Sequence, residues 1–303
     1  MRKILFIMSI LALAACGNDD DAVATPPAEP TPAPRLLTVE VNENPMQDEN
    51  TSAREMTTRT AAATTTATLS SFTMNCQVGE SSWNKTFTKT DNTWSTFTWP
   101  DVGNDTKLDF YAHSDGTFNW NSGNPYVSFT MNEDAFNQKD FLVAKHASIS
   151  YNKAKAVGKA KTGLNDVAIV SQTFDHACAA VQFYVYKEEN ANYIVKSIKL
   201  KGMKNQAKYY YNTGWGDLGY SALWDSDESK RIYTLTNGDI NVSTDKQLLP
   251  CKWLFIIPQS KDGITIDVTY TKGSGDSKTK NLKLSSGSWE AGTQYTVDIK
   301  IGK

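Results

Sequence analysis

Three histidines, His113, His146 and His176, are the only imidazoles in the chain. None stands in an HExxH or comparable metal-ligand spacing, and neither a GxSxG elbow nor a phosphate-binding glycine run appears. Asp175 and His176 are sequence neighbours, so on a strand they face opposite ways, which argues against a catalytic dyad. Carboxylates are scattered along turn-like stretches, and nothing singles out a pair that could flank one bond. The reading is therefore of a protein that is not an enzyme, with no catalytic residue, no metal site and no cofactor. The residues placed to do chemistry are a thiol and two guanidinium groups. Cys16 closes the apolar run in "SILALAACGNDD". Arg54 and Arg59 lie in "NPMQDENTSAREMTTRTAAATTT", which has no apolar period and reads as an exposed loop, the kind of segment where proteases nick.

The setting of Cys16 gives its thiol a purpose. Arg2 and Lys3 make a positive start, and residues 4–15 form an apolar stretch of about a dozen residues, short of the roughly 20 needed to span a bilayer. A charged start, a short apolar centre and small residues before the cut describe a secretory signal over residues 1–15. Leu13-Ala14-Ala15-Cys16 resembles the lipobox of bacterial lipoproteins, in which the cysteine carries a diacylglycerol through a thioether and becomes the first mature residue. Two or more acyl chains hold a protein stably to a membrane where one does not. Asp19, Asp20 and Asp21 resemble acidic tags that route some lipoproteins to the outer surface, and read equally well as a solvated spacer. Residues 16–35 contain five of the ten prolines and form an extended tether.

Beyond the tether the composition points to strands. Thr, Ser, Asn, Tyr and Trp are abundant, and long helical patterns are scarce. A net charge of -2 gives no electrostatic case for nucleic acid. Leu37, Val39 and Val41 alternate with polar residues in a short first strand over residues 36–42. Further alternation marks Phe72 to Val78, Leu108 to Ala112, Val127 to Met131 and Ala177 to Val185, with a last strand from Tyr295 to Ile301. Short strands separated by Asn, Gly, Asp and Ser clusters indicate sandwiches. The expectation is an all-β chain in two domains, 36–173 and 174–303. "TKGSGDSK" reads as a hairpin tip, and the basic stretch "NKAKAVGKAKTGLNDVA" as a flexible, solvated loop. Cys76, Cys178 and Cys251 can make at most one internal disulfide, and two sit in apolar strand patterns, which favours buried thiols. The stretch from Asn205 to Arg231 carries three consecutive tyrosines and two tryptophans, either as a loop that stacks on sugars or as filling for the end of a core.

A set of pieces, individually weak, is fairly specific in order and spacing: the lipobox at Cys16, "TTRTAAAT" around Arg59, "KLDFYAHS", "KDFLVAKHASISY", "QTFDHACAAVQFYVY", "WLFIIPQ" and "WEAGTQYTVDIKIG". Together they resemble the fimbrillin family of Bacteroides-type bacteria, with Cys178 standing where the family usually has leucine. The resemblance implies two transthyretin-like Greek-key β-sandwich domains in tandem. It also implies a lipoprotein of the outer membrane, exposed at the surface and incorporated in a fimbrium. The resemblance implies further that a trypsin-like or arginine-specific protease cuts a loop after the first strand, that the strand leaves with the lipid, and that a neighbouring subunit's strand fills the groove. Arg59 fits the cut best, as Thr-Arg-Thr, and Arg54 second; Leu37, Val39 and Val41 belong to the displaced strand. Little chain follows the last strand, so the subunit is expected to accept a strand without donating one, as a terminal or tip subunit does. The partners expected are other fimbrial subunits, the outer membrane through the lipid, and a host or bacterial surface glycan or protein. The alternative is a surface lipoprotein that does not polymerise and binds glycans through its aromatic loops.

Overall fold

The computed structural model describes residues 33–49, 69–120, 123–163, 167–211, 224–226 and 230–302. In chain order the strands begin with β1 (Leu36–Glu43), β2 (Gln47–Asp48), β3 (Ser71–Val78), β4 (Ser81–Thr90), β5 (Thr93–Trp94) and β6 (Phe97–Thr98). Next come β7 (Leu108–His113), β8 (Thr117–Asn119), β9 (Tyr126–Thr130), β10 (Leu142–Ile149), helix α1 (Tyr151–Thr162) and β11 (Val167–His176). The second half holds β12 (Ala179–Lys187), β13 (Tyr193–Lys204), β14 (Gln206–Tyr210), β15 (Trp224–Ser226), β16 (Lys230–Thr234) and β17 (Ile240–Asn241). The chain finishes with β18 (Gln247–Leu248), β19 (Leu254–Ile256), β20 (Gln259–Ser260), β21 (Thr265–Lys272), β22 (Lys278–Lys283), β23 (Ser288–Trp289) and β24 (Thr293–Ile301). Among the described residues the protein is all-β apart from one short helix, as the alternating patterns predict.

The largest sheet has the order β5-β4-β3-β7-β10-β11-β1-β6. Its core cluster gathers Leu37, Phe72, Phe87, Trp99, Phe110 and Phe174. Two sheets, β18-β12-β24-β2 and β16-β13-β21-β22, enclose a second cluster that includes Val181, Leu200, Ile256, Trp289 and Ile299. Phe129 and Phe141 from the first half also join this second cluster, with their rings stacked 4.2 Å apart. A four-stranded sheet, β15-β14-β9-β8, is built from both halves of the chain. The alternation that marks a strand also assigns its faces: on β3, Phe72, Met74 and Cys76 turn to the core while Ser71, Thr73 and Gln77 are half-buried.

The basic stretch after Ser150 is a helix, not a loop. Ser150 caps it, its Oγ accepting from the Lys153 N–H, and Gly163 ends it in the left-handed conformation with φ 73°. The helix packs on β11 through Ala154 and Gly158, both buried. A Cβ on Gly158 would stand 1.9 Å from the Val167 carbonyl oxygen, so only glycine lets the two backbones come this close. Cys76, Cys178 and Cys251 are free and buried. No described helix is long and apolar enough to cross a membrane.

Candidate functional site

The residues expected to form a displaceable strand are in the largest sheet. β1 pairs in parallel with β11 over eight residues, from Leu36 opposite Val167 to Glu43 opposite Phe174. On its other side it pairs, among the described residues, with β6 through Leu36 with Thr98 and Leu37 with Phe97. Leu37 is fully buried and Val39 is 7 % exposed, while Val41 is half-buried against the same cluster. Full burial of side chains of this size is worth about 1.5–3 kcal/mol each, so two residues hold most of the apolar grip.

Besides the Thr38 hydroxyl, which donates to the Trp94 and Ser95 carbonyls at 3.4 and 3.3 Å, polar contacts hold β1 at three points. At its start, the Arg35 guanidinium donates to the Val102 carbonyl and, at 3.0 Å, to the Asn104 side chain, and it lies over the Tyr151 ring. In the middle, Glu40 faces away from the core toward α1. There it accepts from Lys161 and, at 2.6 Å, from the Ser171 hydroxyl. These two donors hold its carboxyl below the usual range. At its end, Glu43 meets His176.

That last contact belongs to a cluster drawn from three elements. His176, at the end of β11, places Nε2 2.8 Å from Glu43 Oε1 and hydrogen-bonds through Nδ1 to Asp140. The Asp140 side chain is fully buried and that of His176 is 2 % exposed. Burial pushes the Asp140 carboxyl up to about 6, against the lowering effect of the His176 hydrogen bond. Burial alone would lower His176, but the Asp140 hydrogen bond and the charges of Asp140 and Glu43 hold it above the ordinary imidazole value. Asp175, the sequence neighbour, turns the other way and accepts from Asn44 at 2.6 Å. The expected opposition of Asp175 and His176 is therefore observed. The partners of His176 lie 36 and 133 positions away, where no spacing rule reaches them.

After β1 the chain crosses to the second core. The Asn44 N–H still donates to the Phe174 carbonyl, but the Gln47 N–H donates to Gly292 and the Glu49 N–H to Gln294. β2 thereby adds a short parallel neighbour to β24, with Gln47 opposite Thr293 and Asp48 opposite Gln294. The single run 36–49 is thus stitched to both cores, within a stretch whose second part reads from the sequence as loop. Removing that run would uncover backbone donors and acceptors along β11 and the slots filled by Leu37 and Val39. Such an edge recruits another strand.

Other expected residues fall as follows. Cys16, Arg54 and Arg59 lie outside the described residues. His113 is buried and His146 pairs with the Ser171 carbonyl at 2.8 Å. Among the described residues, no group of histidine, cysteine and carboxylate side chains is arranged to hold a metal. Of the three consecutive tyrosines, Tyr209 and Tyr211 enter the second core, where Tyr211 donates to the Ala112 carbonyl at 2.7 Å.

The fimbrillin-like family model matches residues 39–303, most of the chain. The chain belongs to the fimbrillin-like family. Fimbrillin-like folds of known structure share its architecture. A fimbrial protein from Bacteroides vulgatus ATCC 8482 is similar with a TM-score of 0.50 and 14% identity, over 87% of this chain and 95% of that one. A candidate cell adhesion protein from Bacteroides ovatus ATCC 8483 is similar with a TM-score of 0.50 and 12% identity, over 88% and 92% of the two chains. At such identities the likeness concerns the fold. No curated protein matches the chain. The fimbrillin-like assignment makes this a structural protein of a cell-surface fimbrium.

Proposed function

We propose that the chain is an adhesive structural subunit of a cell-surface fimbria that assembles by strand exchange at the β1 position. The observation that carries this is the placement of β1. It is the first strand of the fold, paired in parallel over eight residues and nearly at the sheet edge, with a segment bearing Arg54 and Arg59 following β2. In this reading Cys16 carries the lipid that anchors the exported chain to the outer membrane, and residues 16–35 tether it. Cleavage after Arg59, or after Arg54, separates β1 from the remainder. In this reading the strand-accepting domain runs to the end of β11 at His176, three residues past the expected boundary, and the second domain follows it. β24 is aligned with β12 over eight register pairs, and Ile299 and Ile301 are fully buried. A subunit that keeps this strand in its own core accepts without donating it, which suits a terminal position. Burial of Tyr209 and Tyr211 assigns that part of the aromatic stretch to packing rather than to a sugar.

Limited trypsin digestion of the full chain, followed by N-terminal sequencing and size-exclusion chromatography, tests the reading. The expected products are a new N-terminus at Thr60 and a folded remainder that takes up an added β1 peptide. A remainder that unfolds, or that stays folded and ignores the peptide, counts against strand exchange. Palmitate labelling that persists in Cys16→Ala would remove the lipid anchor from the account.

A further inference from the structure

The two carboxylates on β1 are read by different surroundings. Glu43 is the inner-face partner of a nearly inaccessible imidazole, and its own side chain is 15% exposed. Glu40, on the opposite face, meets Lys161 and Ser171 with both ends of its ion pair partly in water, at 33% and 44% exposure. Leu37 and Val39 occupy fixed apolar slots between them and the strand start. If β1 departs, His176 keeps Asp140 but loses its Nε2 acceptor. A buried donor without a partner is costly, and hydrogen bonds to charged groups are the strong ones. A replacement strand therefore meets both shape and charge requirements at set positions.

We infer that the groove under β1 selects its occupant by an acidic code. The occupant is an extended segment of another fimbrial subunit that runs parallel to β11, with large apolar residues in the register of Leu37 and Val39 and carboxylates in the register of Glu40 and Glu43. This rests on the strand-exchange reading and specifies its partner. Written along the strand, the code is apolar, any, apolar, acid, any, any, acid. The acid in the Glu43 register contributes more, because the imidazole it meets is nearly inaccessible to water. An occupant running antiparallel would carry its acids away from His176 and Lys161.

The test uses the full chain treated with trypsin and a fluorescein-labelled peptide with the 34–46 sequence, with uptake read by fluorescence anisotropy. The native peptide is expected to bind. Glu43→Gln in the peptide is expected to weaken uptake about tenfold, and Glu40→Gln about threefold because its pair is partly solvated. A third peptide combines Glu43→Gln with Asn42→Glu. It keeps the net charge but turns the acid to the other face, and it is expected to stay as weak as Glu43→Gln alone. Equal uptake of all peptides overturns the code and leaves strand exchange standing, and so does rescue by the displaced acid. Uptake of none, the native peptide included, overturns strand exchange and the code together. When the full-length Glu43→Gln variant is clipped by trypsin, it is expected to lose the β1 segment about tenfold faster than wild type on size-exclusion chromatography; an unchanged rate overturns the code.

Discussion

β1 and β24 are near-mirror images in pairing and opposites in anchorage. Each lies parallel to a long neighbour over eight residues, and each has an outer neighbour of only two. β24 fixes itself with Tyr295, Ile299 and Ile301, all in the core. Its ion pairs, Lys246 with Asp298 and Lys300 with Glu188, lie at the surface, where such pairs add little. β1 has Leu37 and Val39 for buried apolar anchors, with Val41 half-buried beside them, and leaves the remainder to Arg35, Thr38, Glu40 and Glu43. Apolar anchorage is strong and indifferent to sequence detail. Charged anchorage at a few points is weaker in total and more selective. A strand meant to stay suits the first arrangement, and one meant to be exchanged suits the second.

The largest test of this contrast truncates an anchor on each strand. Leu37→Ala and Ile299→Ala should each lower the unfolding free energy by about 2–5 kcal/mol, measured by urea denaturation. The distribution should differ. Hydrogen exchange in Leu37→Ala is expected to quicken chiefly along β1, β6 and β11, and in Ile299→Ala through the second core. Matching patterns would erase the distinction between the two strands.

A pH series sharpens the contrast, because only β1 is tied to the buried titrating cluster. Asp140 rises from 3.8 to about 6, and His176 is raised as well. Both folded-state values exceed the unfolded ones, so the folded chain holds protons that the unfolded chain has released. The stabilisation is full below the ordinary range of each group and fades as pH rises through the raised values. The stability of wild type relative to Asp140→Asn should fall by about 2 kcal/mol between about pH 4.5 and pH 8. An unchanged or rising difference would contradict the cluster. The cost of Ile299→Ala should not follow this curve.

Two smaller effects concern the helix that packs on β11 and reaches β1 through Lys161. Gly158→Ala drives a methyl group toward the Val167 carbonyl and should cost about 1–3 kcal/mol in urea midpoints, with faster exchange at the β1–β11 ladder. Lys161→Ala removes a partly exposed partner of Glu40 and should cost less than about 1 kcal/mol, mostly lost in high salt.

What could be read in advance follows from the range of the forces involved. Alternation on β1, β3 and β24 is local, and the strands lie where it marks them, while β12 starts two residues after the Ala177 that opens its pattern. The hairpin between β21 and β22 also shows in its turn residues. α1 escapes such reading because only Tyr151, Ala154 and Gly158 among its residues are buried, too few for an apolar stripe. Its cap and its fit to β11 hold it instead. The His176 cluster escapes because its members come from residues 43, 140 and 176, which only the folded sheet brings together. The β2–β24 contact escapes for a third reason: it is made by main-chain groups of Gln47 and Glu49, which side-chain patterns do not report.

The parallel alignment of β1 with β11 has a mechanical side. A tug along the axis of β1 loads its whole ladder in shear, so the rungs share the force instead of parting one after another. Because the same ribbon continues onto β24, tension entering near Leu36 is handed on to the second half of the molecule. In the strand-exchanged fibre proposed above, a donor strand held in this register would resist drag from flowing liquid in the same way.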